Sequence, residues 1–177
     1  MEALLIAALS ACPAALSQQL NGLYRWQIER QNSHSPRDLS SQRQRFTPEL
    51  YQQLQQGFAL TPERDGRFVD FDVFSGTQVM TFGARVSRCS RIKSGRINAQ
   101  VSVDTGLRGR SSGRPEQLEY RMVQRDGRWR IADIHYPGDP GFSLSSFLSS
   151  LLQGRYCLLY TSPSPRDAHE SRMPSSA

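Results

Sequence analysis

The first third of the chain carries apolar residues at helical spacing. Between residues 18 and 31 they recur three or four positions apart, which predicts a helix with one apolar face. A Ser-Pro step then predicts a short helix over residues 36–46. The best-marked helix follows, because Thr47 is a typical N-cap, Pro48 suits the first turn, and Gly57 is expected to end it.

The apolar period changes to two after this helical block. Alternating segments cover residues 68–74, 80–87, 97–104, 118–122 and 129–131. The pairs Ser94-Gly95 and Asp126-Gly127 are typical of two-residue hairpin turns, and residues 106–115 predict a longer loop. Strict alternation gives a strand one buried and one solvated face. Residues 18–136 therefore predict an α+β domain, with the N-terminal helices packed on one face of a curved antiparallel β-meander.

A last amphipathic segment follows the meander, within residues 137–154. Its apolar residues cluster near one helical face after Pro140-Gly141: Phe142, Leu144, Phe147, Leu148, Leu151 and Leu152. We expect this helix to pack on its own domain. Covering an opening of the domain, contacting a partner and touching a membrane surface are the alternatives.

Residues 1–17 predict a secretory signal peptide. The run from residue 3 to 16 is apolar but too short to span a bilayer, and Ala15-Leu16-Ser17 fits cleavage before Gln18. The basic segment that usually opens such a peptide is missing, which suggests a start further upstream. The protein is therefore expected to be exported from a bacterial cell, to the periplasm or beyond.

Cys12 offers a second interpretation of the same segment. Residues 9–12, Leu-Ser-Ala-Cys, resemble a bacterial lipobox, in which Cys12 would be acylated and would anchor the protein to a membrane. Pro13 is atypical directly after such a cysteine. A third interpretation, a buried N-terminal helix, is disfavoured because Pro13 would break it.

The other end of the chain has an unusual composition. Residues 157–177 resemble a tail that arises when sequencing-adapter DNA is translated at the end of a contig. Serine and proline dominate from Thr161 onward, and no apolar period remains. We expect residues 155–177 to be disordered and to lie outside the fold.

This division of the chain leaves few cysteines. Cys12 falls in the predicted signal and Cys157 in the tail, so Cys89 is the only cysteine left after cleavage before Gln18. We therefore expect no intramolecular disulfide and treat Cys89 as a half-buried strand residue.

The chain is basic, with a net charge of +6 at pH 7, and Lys93 is its only lysine. A basic surface attracts anions, although a GC-rich genome also encodes most surface cations as arginine. The candidate anion-binding rim comprises Arg85, Arg88, Arg91, Lys93 and Arg96, with Arg108, Arg110 and Arg114 nearby. No aromatic residue between Arg85 and Arg114 could stack on bases, so nucleic acid is not an expected partner.

The end of the meander carries a family resemblance. Residues 126–134, Asp-Gly-Arg-Trp-Arg-Ile-Ala-Asp-Ile, resemble the last hairpin and strand of the nuclear-transport-factor-two-like superfamily, whose fold is a cystatin-like α+β cone. Residues 70–78 resemble a family of exported bacterial proteins of unknown function within it. The resemblance covers about residues 20–136 and implies a cone with an internal cavity. The superfamily contains isomerases, dehydratases, cyclases, transport factors and binding modules, so it does not select an activity.

Three side chains are the candidates for catalysis. The alternation places Asp133 and His135 on the same strand face as Trp129 and Ile131, where they could act as an acid/base pair in a cone cavity. Asp72 shares a predicted strand face with Asp70. Two carboxylates make a poor metal site, and no histidine pair has metal-ligand spacing, so neither a metal nor a cofactor is expected.

These features favour an exported, non-enzymatic binding module. It would hold a small ligand in the cone cavity or a protein partner across the sheet, and a homodimer is one such arrangement. The alternatives are a cofactor-free isomerase, dehydratase or hydrolase that uses Asp133, His135 or Asp72, and an anion-binding module built on the arginine rim.

Overall fold

The computed structural model describes residues 9–60, 69–93 and 95–154. They form an α+β fold, with helices at the N-terminus and a curved antiparallel sheet, as the pattern predicts. The helices are α1 (Ala14–Asn32), a 3-10 helix (Ser40–Arg45), α2 (Pro48–Ala59) and α3 (Leu144–Leu152). The strands are β1 (Leu9–Ser10), β2 (Met80–Lys93), β3 (Arg96–Leu107), β4 (Arg110–Ser111), β5 (Glu116–Arg125), β6 (Arg128–Tyr136) and β7 (Phe142–Ser143).

The sheet has the order β1-β2-β3-β5-β6-β7, with the short β4 paired to β3. All of these pairs are antiparallel. The strand order shows that the meander pairs in consecutive order. Gly95 and Asp126-Gly127 adopt positive φ angles of 69°, 52° and 71°, which the tight turns between β2 and β3 and between β5 and β6 require. Both predicted two-residue hairpins are confirmed.

The first helix begins earlier than the apolar pattern indicates. Pro13 stands at the N-cap position of α1, so it precedes the helix rather than breaking it. Leu16, inside the predicted signal peptide, is fully buried beside Leu20 and Leu23. The folded core therefore includes side chains that cleavage before Gln18 would remove.

The second predicted helix is replaced by a shorter element. The 3-10 helix starts only at Ser40, where Asp38 Oδ1 accepts a hydrogen bond from the Ser40 amide at 2.8 Å. Thr47 caps α2 as predicted, accepting from the Leu50 amide at 3.3 Å. The helix does not end at Gly57 but continues to Ala59, and a Cβ at Gly57 would lie 2.7 Å from the Leu148 side chain of α3. Gly57 thus serves close packing between α2 and α3 rather than termination.

The segment from Val69 to Gln78 is a turn rather than the predicted strand. The Asp72 carbonyl accepts hydrogen bonds from the amides of Ser75 and Gly76, at 3.1 and 2.7 Å. The Asp72 carboxylate accepts from the Phe74 amide at 2.9 Å, the bonding of an Asx turn. Asp70 is exposed and Asp72 is turned inward, so the two carboxylates do not share a face.

A disulfide joins the two cysteines of the described residues. Cys12 and Cys89 are bonded, with a sequence separation of 77 residues and a Cα–Cα distance of 5.1 Å. The expectation of no intramolecular disulfide is therefore wrong. The pairing follows from β1, in which Ser10 lies opposite Cys89 on the edge of β2.

The C-terminal part of the described chain returns to the domain. β7 pairs with the end of β6, and α3 buries Leu144, Leu148 and Leu151. In the described ranges no helix combines the length and apolar character needed to cross a bilayer. The predicted tail, residues 155–177, lies outside the described residues.

Candidate functional site

The space between α1 and the sheet, where a cone cavity was expected, is filled by aromatic side chains. Phe46, Phe74 and Tyr120 are fully buried there, and Tyr24 is nearly so. Tyr24 donates a hydrogen bond to the Phe74 carbonyl at 2.7 Å, and its oxygen lies 2.8 Å from the Tyr120 hydroxyl. Burial raises the pKa of both tyrosines, so they are neutral packing groups. The hydroxyls of Tyr24 and Tyr120 are therefore hydrogen-bonded, and the four rings occupy the space between α1 and the sheet.

Asp72 lies beside this interior and is fully partnered. Its carboxylate accepts hydrogen bonds from the Phe74 amide and from the side-chain amides of Gln27 and Gln31 on α1. Burial raises the pKa of Asp72, and the Phe74 amide and the charges of Arg37 and Arg30 partly offset this. A carboxylate held by three donors ties the turn to α1, which is a structural role.

We expect Asp72→Asn to remove a pH-dependent loss of stability. The pKa of Asp72 is raised above its ordinary 3.8, so folding favours the protonated acid. This contribution is complete below the ordinary pKa and is lost as pH rises through the raised pKa of the folded protein. In urea titrations over that window, wild type should lose unfolding free energy relative to the variant. Asp70→Asn, at an exposed carboxylate, is the matched control, and a constant difference across the window would contradict the assignment.

Asp133 does not lie on the face that the alternation predicts. Arg121 pairs with Asp133 and Met122 with Ile131, so Ala132 is an extra residue in a β-bulge. The bulge shifts the alternation of β6 by one residue. Asp133 and His135 therefore point to the outer face, which is the side of the sheet away from α1. The prediction that they share a face with Trp129 and Ile131 is therefore wrong.

The Asp133 carboxylate is occupied by the start of α3. It accepts from the Ser145 amide at 2.9 Å, the Ser145 hydroxyl at 2.7 Å and the Ile134 amide at 2.9 Å. Arg121 Nη1 lies 3.5 Å away. These contacts anchor α3 to β6 and leave Asp133 only 7% exposed.

His135 lies two residues after Asp133 on β6 and points to the same outer face, whereas Asp72 lies elsewhere. His135 is half-buried on β6, opposite Glu119 of β5, and lines a shallow cleft of about 440 Å³ with Gln100, Gln117 and Pro137. Asp72 belongs to the turn against α1, on the other side of the sheet. The fold therefore separates Asp72 from Asp133 and His135, which remain neighbours on β6.

The predicted arginine rim is spread along one hairpin. Arg85 lies opposite Ser102 and Arg88 opposite Gln100, so both point outward from the sheet, and Lys93 lies opposite Arg96 at the turn. Arg91 lies opposite the buried Ile97, so its side chain leaves from the inner face at the end of the sheet. All five cations are exposed.

Only one rim residue, Arg96, lines the groove on the outer face of the sheet. This outer groove has a volume of about 460 Å³. Its lining residues are Thr47, Glu49, Ile92, Arg96, Asn98, Arg121, Met122, Val123, Arg125, Ala132 and Asp133. Arg121 and Arg125 were missed from the sequence because they sit on β5, some 25 residues from Arg96 along the chain. The strand register brings them beside it.

A second cleft lies at the start of α2. It has a volume of about 720 Å³, and Arg43, Tyr51 and Arg130 are among the residues that line it. Arg43 lies over the Tyr51 ring at 5.7 Å, and Arg130 Nη1 donates to the Phe46 carbonyl at 3.4 Å.

Within the described ranges no group of three or more histidine, cysteine or acidic side chains is placed to hold a metal ion.

Comparison of the chain with protein-family models, with curated proteins and with solved structures finds no match.

Proposed function

We propose that this protein is an exported, non-enzymatic binding module that uses the outer face of its sheet. The observation that carries the proposal is the filled interior, where Phe46, Phe74, Tyr24 and Tyr120 occupy the space between α1 and the sheet. A ligand could enter there only by displacing buried aromatic rings. The outer groove, in contrast, is already open.

The placement of the candidate acids supports binding rather than catalysis. A general acid or base must reach a substrate proton, and a cofactor-free enzyme of this superfamily would need such a group facing a pocket. Asp72 is occupied by α1 and Asp133 by α3. His135 forms no hydrogen bond or ion pair with either of these two carboxylates.

The disulfide supports export. Disulfides persist in oxidising compartments such as the bacterial periplasm and are rare in the cytosol. The bond between Cys12 and Cys89 requires that the mature chain retain Cys12 and that the Cys12 thiol be unmodified before it forms the disulfide. Acylation of that sulfur and cleavage before Gln18 are both incompatible with it, so we favour an unlipidated mature protein that retains Cys12.

Element order supports membership of the nuclear-transport-factor-two-like superfamily. Helices precede a meander that curves over them, and the last hairpin, with Asp126-Gly127 at its turn, leads into Trp129 and Ile131 on β6. In this proposal the cone is present, and its interior is packed instead of hollow.

Methyl-resolved NMR tests the choice of face. Val123 and Ile92 line the outer groove, whereas Val101 and Ile131 are fully buried on the inner face. In a screen of small organic fragments, we expect hits to shift the methyl signals of Val123 and Ile92 and to leave those of Val101 and Ile131 unchanged. Hits that shift the inner methyl signals, or a screen with no outer shifts, would count against the proposal.

A further inference from the structure

We propose that the outer groove binds small organic anions that carry an apolar body, with the carboxylate, sulfonate or phosphate group held by Arg96, Arg121 and Arg125. This inference rests on the proposal that the outer face is the binding surface, and it adds the chemistry of the ligand. The two can fail separately, as the experiment below shows.

The strand register brings the three arginines around one apolar residue. Val123 of β5 lies directly opposite Arg96 of β3. Arg121 and Arg125 lie two residues before and after Val123 on the same strand, so their side chains leave the same face. Neighbouring strands are about 5 Å apart, so long arginine side chains from all three positions can reach an anion above Val123.

The acidic residues of the groove do not neutralise this cluster. Asp133 forms an ion pair with Arg121 at 3.5 Å, but it also accepts hydrogen bonds from Ser145 and Ile134. Only 9% of the Asp133 side chain is exposed, whereas 49% of the Arg121 side chain is exposed and can reach a ligand. Arg125 and Glu49 form an ion pair at 3.3 Å, but both are more than half exposed, and such pairs are weak enough for a ligand to replace. Arg96 makes no ion pair within the described part of the chain.

The rest of the lining is suited to an apolar body. Ile92 is 57% exposed, an unusual position for a large aliphatic side chain, and Met122, Val123 and Ala132 complete the apolar surface. The volume of about 460 Å³ lies in the range of small-molecule sites. Asn98 is a further lining donor, and its amide now donates to Glu119 at 2.9 Å. A bare inorganic anion would leave this apolar surface uncovered.

Two fluorescent probes test the inference. Anilinonaphthalene sulfonate carries an anionic group on an aromatic body, and phenylnaphthylamine is its uncharged counterpart. We expect saturable binding of the sulfonate to the whole protein at low salt, and the double variant Arg96→Gln/Arg121→Gln should weaken it by about tenfold or more. The same variant should leave binding of the uncharged probe unchanged. Ile92→Ser should weaken both probes, because it removes exposed apolar surface.

Arg85→Gln/Arg88→Gln is the matched control, since it removes the same charge from the same face outside the groove. Equal weakening by the two double variants would mean a diffuse basic surface and would overturn the inference, as would absence of saturable sulfonate binding. A further outcome is that the NMR screen finds hits at Val123 that bind wild type and Arg96→Gln/Arg121→Gln with equal affinity. That result would contradict the anion site and would still support the outer face as the binding surface. Circular dichroism spectra of all variants should match wild type, because every substituted side chain is exposed.

Discussion

Cys89→Ser should lower the unfolding free energy by about 2–4 kcal/mol and the thermal midpoint by about 10 °C. The bond to Cys12 closes a loop with a sequence separation of 77 residues, and a long closed loop restricts the unfolded chain strongly. It also fixes β1, which consists of only two residues, to the edge of β2. Differential scanning calorimetry of protein purified from an oxidising compartment measures both quantities.

The controls for this prediction use the same bond. Cys12→Ser and the double variant should lose as much stability as Cys89→Ser, and a thiol reductant should bring wild type to the same midpoint. Ser90→Ala, at the next position of β2, should change little. Wild-type protein whose midpoint does not respond to reductant would refute the disulfide, and with it the main support for export.

Local signals account for what the sequence predicted correctly. The alternation on β3, with Ile97, Ala99, Val101 and Val103 buried, needs no knowledge of distant residues. Asp126-Gly127 prescribes a hairpin because its two positive φ angles suit few other residue pairs. Thr47 and Pro48 likewise fix the start of α2 within one turn of the chain.

The errors arise where one extra residue or a side-chain hydrogen bond decides the outcome. The bulge at Ala132 reverses the inward face of β6, and a period-two pattern cannot show which residue is skipped. The segment around Asp72 alternates like a strand, but the Asp72 carboxylate competes for the Phe74 amide and closes a turn. The sequence does not reveal the disulfide, because the apolar run over residues 3–16 predicts a signal peptide that contains Cys12.

The outer groove could not be predicted from spacing along the chain. In the sequence, Arg96 belongs to a basic stretch that crosses the β2–β3 turn. Its neighbours Arg121 and Arg125 become visible once β5 is paired to β3 in register, with Val123 opposite Arg96. A binding surface on a sheet consists of side chains that are neighbours across strands. Those neighbours can be identified only when the strand pairing and its register are known.

Phe74→Ala should lower the unfolding free energy by about 3–5 kcal/mol. The ring is 1% exposed and lies 6.1 Å from the Phe46 ring and 6.2 Å from the Trp26 ring, measured between centroids. Its removal leaves a cavity lined by these rings. The Phe74 carbonyl that accepts from Tyr24 belongs to the backbone and remains, so the loss reports packing.

Benzene provides the second measurement for this variant. A dry apolar cavity of this kind takes up small aromatic molecules, so benzene should raise the thermal midpoint of Phe74→Ala and leave wild type unchanged. Phe74→Leu, which fills most of the space, should lose less stability and respond less to benzene. If Phe74→Ala cost under about 1 kcal/mol, or if benzene stabilised wild type, the interior would already be open. A ligand could then occupy the space between α1 and the sheet, and binding would not be confined to the outer face.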